Sequence, residues 1–81
     1  MPFIPFTDVI LTQDLPEEQL KAGDVGTVVE RHVVPGIGDG YSVEFFDMTG
    51  QTVAVATVPE SALRVPTAAD RPAVRAMAGS R

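Results

Sequence analysis

A chain of 81 residues with a formal net charge of −5 is long enough for one domain and no more. It has no cysteine, which excludes disulfides and thiolate–metal sites, so its thin core depends on packing or on a partner. Its apolar runs are too short to span a bilayer and its N-terminus lacks the basic region of a signal peptide. We therefore expect a cytoplasmic protein without a membrane partner.

The charge is divided unevenly along the chain. Residues 1–65 carry three basic and ten acidic side chains, a net charge of −7, whereas residues 66–81 carry a net charge of +2. Because an acidic body repels phosphate backbones, nucleic acid is not expected as a partner. Such a body attracts a basic protein surface, although acidic charge also keeps many small domains soluble without any partner.

The first third of the chain predicts a strand followed by a long loop. Residues 8–12 are a short β-branched run and form the first strand. A proline and a polar cluster make residues 13–20 a loop, with one helical turn at 16–19. We expect Leu15 and Leu20 to point inward and to pin this loop to the core.

A Gly-Asp turn opens the second strand, residues 25–34. Gly23 can adopt a positive φ without steric cost, and the carboxylate of Asp24 can bond the local backbone. Gly26, early in the strand, predicts a bulge or a close approach of another backbone. We expect the side chain of Val25 to serve the core.

The third strand follows a glycine-rich connection at residues 35–40. Tyr41, Val43 and Phe45 alternate and therefore share one face. Phe46 falls on the opposite face, either at a bulge or exposed. Residues 47–50 then form a tight hairpin, whose final glycine suits the left-handed conformation.

The remaining strands complete an all-β fold. Residues 51–58 form the fourth strand, residues 59–62 a single 3₁₀ turn, and residues 63–65 a very short last strand. This order is typical of a small five-stranded SH3-like barrel, with residues 1–65 as its domain. A β-sandwich is disfavoured because it needs about seven strands.

Residues 66–81 form a C-terminal tail that could contain a short helix. Asp70 suits the N-cap, and Val74, Met77 and Ala78 would then share one helical face. Because an isolated helix of this length is marginal in water, the tail is either frayed or docked.

Several of these segments, in this order and spacing, resemble the small bacterial proteins grouped as domain-of-unknown-function family 4926, over residues 6–65. The segments that carry the resemblance are 8–11, 14–17, 20–29, 41–45, 50–52 and 63–64. The resemblance implies an SH3-like barrel. It implies no activity, because the family has no assigned catalytic residues.

The sequence offers little support for catalysis, so we expect no enzyme, no cofactor and no metal. His32 is the only histidine, and the hydroxyls of Thr27, Ser42 and Ser61 stand in no nucleophile signature. One histidine without a cysteine does not make a transition-metal site. The glycines of residues 36–40 lead into a strand, whereas a phosphate loop must lead into a helix.

Six side chains are candidates for partner binding, namely acidic residues of the long loop and aromatic residues near open ends of the fold. They are Phe3, Phe6, Asp14, Glu17, Glu18 and Phe46. The carboxylates either form an acidic docking surface or are only solvated loop charge. Phe3 and Phe6 either close one end of the barrel or form an exposed apolar patch.

These features favour a non-enzymatic protein-interaction module. Two versions fit: an antitoxin- or immunity-like protein that neutralises a basic partner encoded nearby, or an accessory subunit of a larger bacterial complex. A KOW-like nucleic-acid-binding module is an alternative, supported by the Gly-Asp-x-Gly-x-Val element and the basic tail alone. Self-association into a homo-oligomer is a further alternative.

Overall fold

The computed structural model describes residues 3–36 and 38–76, with only the backbone at Val34. Its elements are five strands and two 3₁₀ turns: β1 (Asp8–Leu11), the first 3₁₀ turn (Pro16–Glu18), β2 (Val25–Val34), β3 (Gly38–Phe46), β4 (Thr52–Pro59), the second 3₁₀ turn (Glu60–Ala62) and β5 (Leu63–Arg64). The predicted all-β class, the five strands and the 3₁₀ turn before the last strand are confirmed.

The five strands form one antiparallel sheet in the order β4-β3-β2-β1-β5. Within the described residues, β4 and β5 are the two edges and do not pair, so the sheet is not closed into the predicted barrel. The second 3₁₀ turn leaves only two residues to β5, and both pair with β1. A strand this short cannot also close the sheet against β4.

The core lies on one face of this sheet. Tyr41, Val43 and Phe45 are all buried, which confirms the alternation predicted for β3. Val28 of β2 lies opposite Val43 and is fully buried. The other buried members of the core cluster are Val9, Leu11, Leu20, Ala56, Val58, Ala62 and Leu63.

The long loop folds back onto the core, as predicted. The backbones of Leu15 and Leu20 exchange hydrogen bonds of 2.9 and 3.1 Å. Leu20 is buried and Leu15 packs against the core, so the expected pinning is confirmed. Between them lies the first 3₁₀ turn, and Gln19, which follows it as the C-cap, takes a left-handed conformation at φ 59°.

The Gly-Asp turn has the predicted geometry. Gly23 has φ 98°, and the Asp24 carboxylate accepts a hydrogen bond of 2.9 Å from the Lys21 amide. The prediction for Val25 is wrong: its side chain is 52% exposed. Gly26 faces the core, and the side chain before it therefore points to the opposite face.

Gly26 makes the close approach that its position predicts. It pairs with Phe45 across the sheet, and a Cβ atom at Gly26 would lie 2.6 Å from Cγ1 of Val43 and 3.0 Å from the carbonyl oxygen of Glu44. The bulge of β2 lies further along, between Val28 and Glu30. Only a residue without a side chain fits here.

The glycine-rich connection is shorter than residues 35–40, because β3 already begins at Gly38. Asp39 therefore lies in the ladder, opposite Val33. Its carboxylate accepts hydrogen bonds of 3.1 and 2.8 Å from Nε and Nη2 of Arg31. The pairing of β2 with β3 therefore continues into the segment that the glycines mark as a loop, and the Arg31–Asp39 ion pair connects the two strands there.

The tail is not helical over residues 66–76, so the predicted helix is wrong for this part. Asp70 does not cap a helix; its carboxylate binds Nη1 and Nη2 of Arg64 at 2.9 and 2.7 Å. Arg75 donates from Nε to Asp24 at 3.2 Å and forms an ion pair with it. Two ion pairs thus hold the tail, one to β5 and one to the Gly-Asp turn. The expected helical partners Met77 and Ala78 lie outside the described residues.

We expect the Arg64–Asp70 contact to weaken in acid. The Arg64 guanidinium, together with the Thr67 amide, holds the pKa of Asp70 well below its usual value of 3.8. A carboxyl whose pKa is lower in the folded state than in the unfolded state stabilises the fold at every pH above the unfolded-state pKa. This contribution is lost progressively as the pH falls from the unfolded-state pKa to the folded-state pKa. An NMR titration of the Asp70 carboxyl should therefore show a midpoint well below 3.8.

Asp70→Asn should release the tail at neutral pH and speed tryptic cleavage after Arg75, which is followed by alanine, whereas Arg71 is followed by a proline that blocks trypsin. Asp8→Asn is the matched control, because the carboxylate of Asp8 accepts its hydrogen bond from Thr27 of β2 and not from a residue of the tail. An unchanged cleavage rate in Asp70→Asn would show that the ion pair does not hold the tail.

Candidate interaction surface

The two N-terminal aromatic residues have different roles. Phe3 stacks edge-on against Tyr41, with ring centroids 5.2 Å apart, and its amide donates a hydrogen bond of 2.8 Å to the Tyr41 hydroxyl. Phe3 therefore packs against the core. Phe6 does not: it is 78% exposed and has a φ of 67°.

The three acidic residues of the long loop also differ in their contacts. Asp14 accepts a hydrogen bond of 2.9 Å from the Ala22 amide, so its carboxylate braces the base of the loop. Glu17 and Glu18 lie in the first 3₁₀ turn and are exposed. Of the three carboxylates of the loop, Glu17 and Glu18 are therefore the two available to meet a partner.

Phe46 lies at the end of β3, where its side chain is 43% exposed. The register shifts between Phe45 and Phe46, which confirms the predicted irregularity at this position. Because Gly26 pairs with Phe45, the exposed Val25 lies next to Phe46 in the sheet. Met48, 86% exposed, follows in the hairpin. We call Val25, Phe46 and Met48 the end patch.

The hairpin that presents the end patch is held by one carboxylate. Oδ1 of Asp47 accepts hydrogen bonds from the Thr49 amide and hydroxyl and from the Gln51 amide, at 2.8, 2.6 and 3.0 Å. These bonds, the Thr49 hydroxyl first, lower the pKa of Asp47. Gly50 closes the turn at φ 87°, as predicted. The end patch therefore sits on an ordered turn.

Antiparallel topology places the base of the long loop and the β3–β4 hairpin at the same end of the sheet. Of the six candidate residues, Phe46 and the acidic loop share this end. Phe3 belongs to the core packing around Tyr41. Val25 and Met48 were missed by sequence reasoning: the exposure of Val25 depends on the register of β2, and that of Met48 on its position in the turn between β3 and β4.

The family model described as Domain of unknown function (DUF4926) matches residues 6–65. The chain belongs to this family. No significant match was found among curated proteins or among solved structures. In this DUF4926 member, the matched region contains the sheet, the acidic loop and Phe46, while Phe3 and Arg75 lie outside it.

The DUF4926 sheet also carries a polar row on the face opposite the core, which sequence reasoning missed. Nε2 of His32 lies 2.8 Å from Oγ of Ser42, which lies 3.2 Å from Oγ1 of Thr57. Glu30 approaches the same Nε2 at 4.0 Å, whereas the carboxylate of a catalytic triad orients the ring through Nδ1. The row is therefore a cross-strand polar contact, and only strand register could have predicted it.

Two further properties of the described residues bear on the candidate site. In residues 3–36 and 38–76, no three His, Asp or Glu side chains converge as metal ligands would. In the same residues, no helix has the length and hydropathy needed to cross a membrane.

Proposed function

We propose that this DUF4926 protein is a non-enzymatic interaction module that binds a basic protein in the bacterial cytoplasm. The observation that supports this most directly is the end patch, where Val25, Phe46 and Met48 are exposed beside the base of an acidic loop. Exposed apolar side chains rimmed by polar residues are typical of protein-interaction sites. The ordered Asp47 turn keeps the ordering cost of binding low.

The charge of the domain sets the chemistry of the partner. Residues 1–65 carry a net charge of −7, and Glu17 and Glu18 are exposed without a protein partner in the described residues. Complementary charge accelerates association and suppresses wrong partners more than it adds affinity. An antitoxin- or immunity-like neutraliser and an accessory subunit both fit this chemistry.

The product of a neighbouring gene is the first partner to test. We expect co-elution with the wild-type protein in size-exclusion chromatography at low salt, and weaker binding at high salt. Phe46→Ser should reduce affinity at least about tenfold, as expected for an aromatic anchor. The double variant Glu17→Gln/Glu18→Gln should mainly slow association and flatten the salt dependence.

Matched controls use the same chemistry elsewhere on the sheet. Val33→Ser replaces another exposed apolar side chain, and Glu30→Gln another exposed carboxylate. Neither should change binding more than about twofold. Absence of co-elution for the wild type at low salt, or equal losses in the controls, would contradict the proposal.

Nucleic-acid binding is the competing function to be tested. Because the body of the domain is acidic, we expect no electrophoretic shift of DNA or RNA, even at low salt. A shift that weakens steeply with added salt would favour the KOW-like alternative instead.

A further inference from the structure

The free edge of the sheet at β4 is a second surface, separate from the end patch. β4 pairs with β3 on one side, and within the described residues no strand pairs with its other side. Alternate residues of such an edge direct unpaired N–H and C=O groups outward. The opposite edge, β5, offers only two residues.

This edge lacks the devices that usually prevent strand pairing. Natural edge strands carry charges, internal prolines or bulges, or are very short. β4 is eight residues long, contains no charged residue, and has its one proline at the end. Its register irregularity lies at the start, which leaves Ala54 to Val58 in regular pairing with β3.

We propose that β4 pairs antiparallel with β4 of a second copy of this chain, so that two open sheets become one sheet of ten strands. When β4 pairs with β4 of the other copy about a two-fold axis, each residue that faces the core lies opposite another residue that faces the core. With the two-fold axis at Ala56, Ala56 lies opposite its equivalent beside the two cores, and on the outer face the exposed Val55 lies opposite the exposed Thr57 of the other copy.

The distribution of charge makes β4 a favourable place for two copies of the chain to meet. Two chains of net charge −5 repel each other, but β4 is neutral along its whole length. On the outer face, the neighbouring strand places Glu44 opposite Val55. In the dimer, the two Glu44 side chains would be three strand spacings apart, roughly 14 Å, beyond the Debye length of about 8 Å at physiological salt.

Sedimentation over about 10 µM to 1 mM is the primary test. We expect the wild type to approach twice its monomer mass of 8.6 kDa. Val55→Lys and Thr57→Lys should each raise the dimer dissociation constant at least roughly tenfold, because a lysine on an edge strand disfavours pairing with another strand. Val33→Lys, the same change at an exposed valine of β2, should stay within about twofold.

Cysteine crosslinking gives a second measurement, because the chain has no cysteine of its own. Under mild oxidation, an equimolar mixture of Val55→Cys and Thr57→Cys should form a disulfide-linked dimer, and a mixture of Val33→Cys and Thr57→Cys should not. Circular dichroism confirms that each variant is folded. A wild type that remains monomeric over the whole concentration range, or a Val33→Lys variant that dissociates as readily as Val55→Lys, would overturn the proposal.

Discussion

Replacing Tyr41 with alanine is expected to destabilise the protein by about 3–5 kcal/mol, the usual cost of truncating a buried aromatic side chain. Tyr41 is fully buried, stacks against Phe3 and accepts the Phe3 amide hydrogen bond. A chain of this length has a total stability of about 4–12 kcal/mol. The variant should therefore be mostly unfolded or close to it, as urea denaturation followed by circular dichroism would show.

Tyr41→Phe separates packing from hydrogen bonding at the same position. It keeps the ring but removes the acceptor of the Phe3 amide, so we expect a loss of about 1 kcal/mol. Phe6→Ala is the matched control for aromatic truncation: Phe6 is 78% exposed, and the change should stay within about 0.5 kcal/mol. Similar losses in Tyr41→Ala and Phe6→Ala would show that the N-terminal segment does not pack on the core as described.

Gly26→Ala is expected to cost about 2–3 kcal/mol, since overpacking a tight site forces neighbouring atoms to shift. The added Cβ would lie 2.6 Å from Cγ1 of Val43 and 3.0 Å from the Glu44 carbonyl oxygen. The second contact is with backbone, which cannot rotate away. We expect the melting temperature to fall by roughly 10–20 °C, as measured by thermal unfolding.

Gly40→Ala controls for the intrinsic effect of replacing a strand glycine. A Cβ atom at Gly40 would meet only the Val58 carbonyl oxygen, at an ordinary contact distance of 3.8 Å. Alanine also loses less conformational entropy on folding than glycine. Gly40→Ala should therefore be neutral or slightly stabilising. If Gly26→Ala and Gly40→Ala lowered the melting temperature by the same amount, the close approach of β3 to Gly26 would not be the cause of the destabilisation.

Short-range rules account for the parts of the fold that could be predicted. The period of two in Tyr41, Val43 and Phe45 shows which face of β3 is buried, because successive side chains alternate across a strand. Gly23 and Gly50 mark turns because their backbones need a positive φ. Each inference uses residues that are neighbours in the chain.

The sites depend more on strand register than on composition. Phe46 and the acidic loop are visible as candidates in the sequence, but Val25 joins them only because Gly26 pairs with Phe45. The expected core role of Val25 failed for the same reason. Likewise, nothing near Phe3 and Phe6 in the chain indicates that one ring packs on Tyr41 while the other stays exposed.

The sequence by itself therefore determined the all-β class, the five strands, the turn positions and the family to which the chain belongs. Only the tertiary structure decided that the sheet stays open at β4 and that Arg75 reaches Asp24 across 51 positions of the chain. The physical reason is the distance along the chain over which each kind of interaction acts. Strand and turn preferences act over a few residues, whereas edges, tail contacts and shared faces arise from pairing between distant segments.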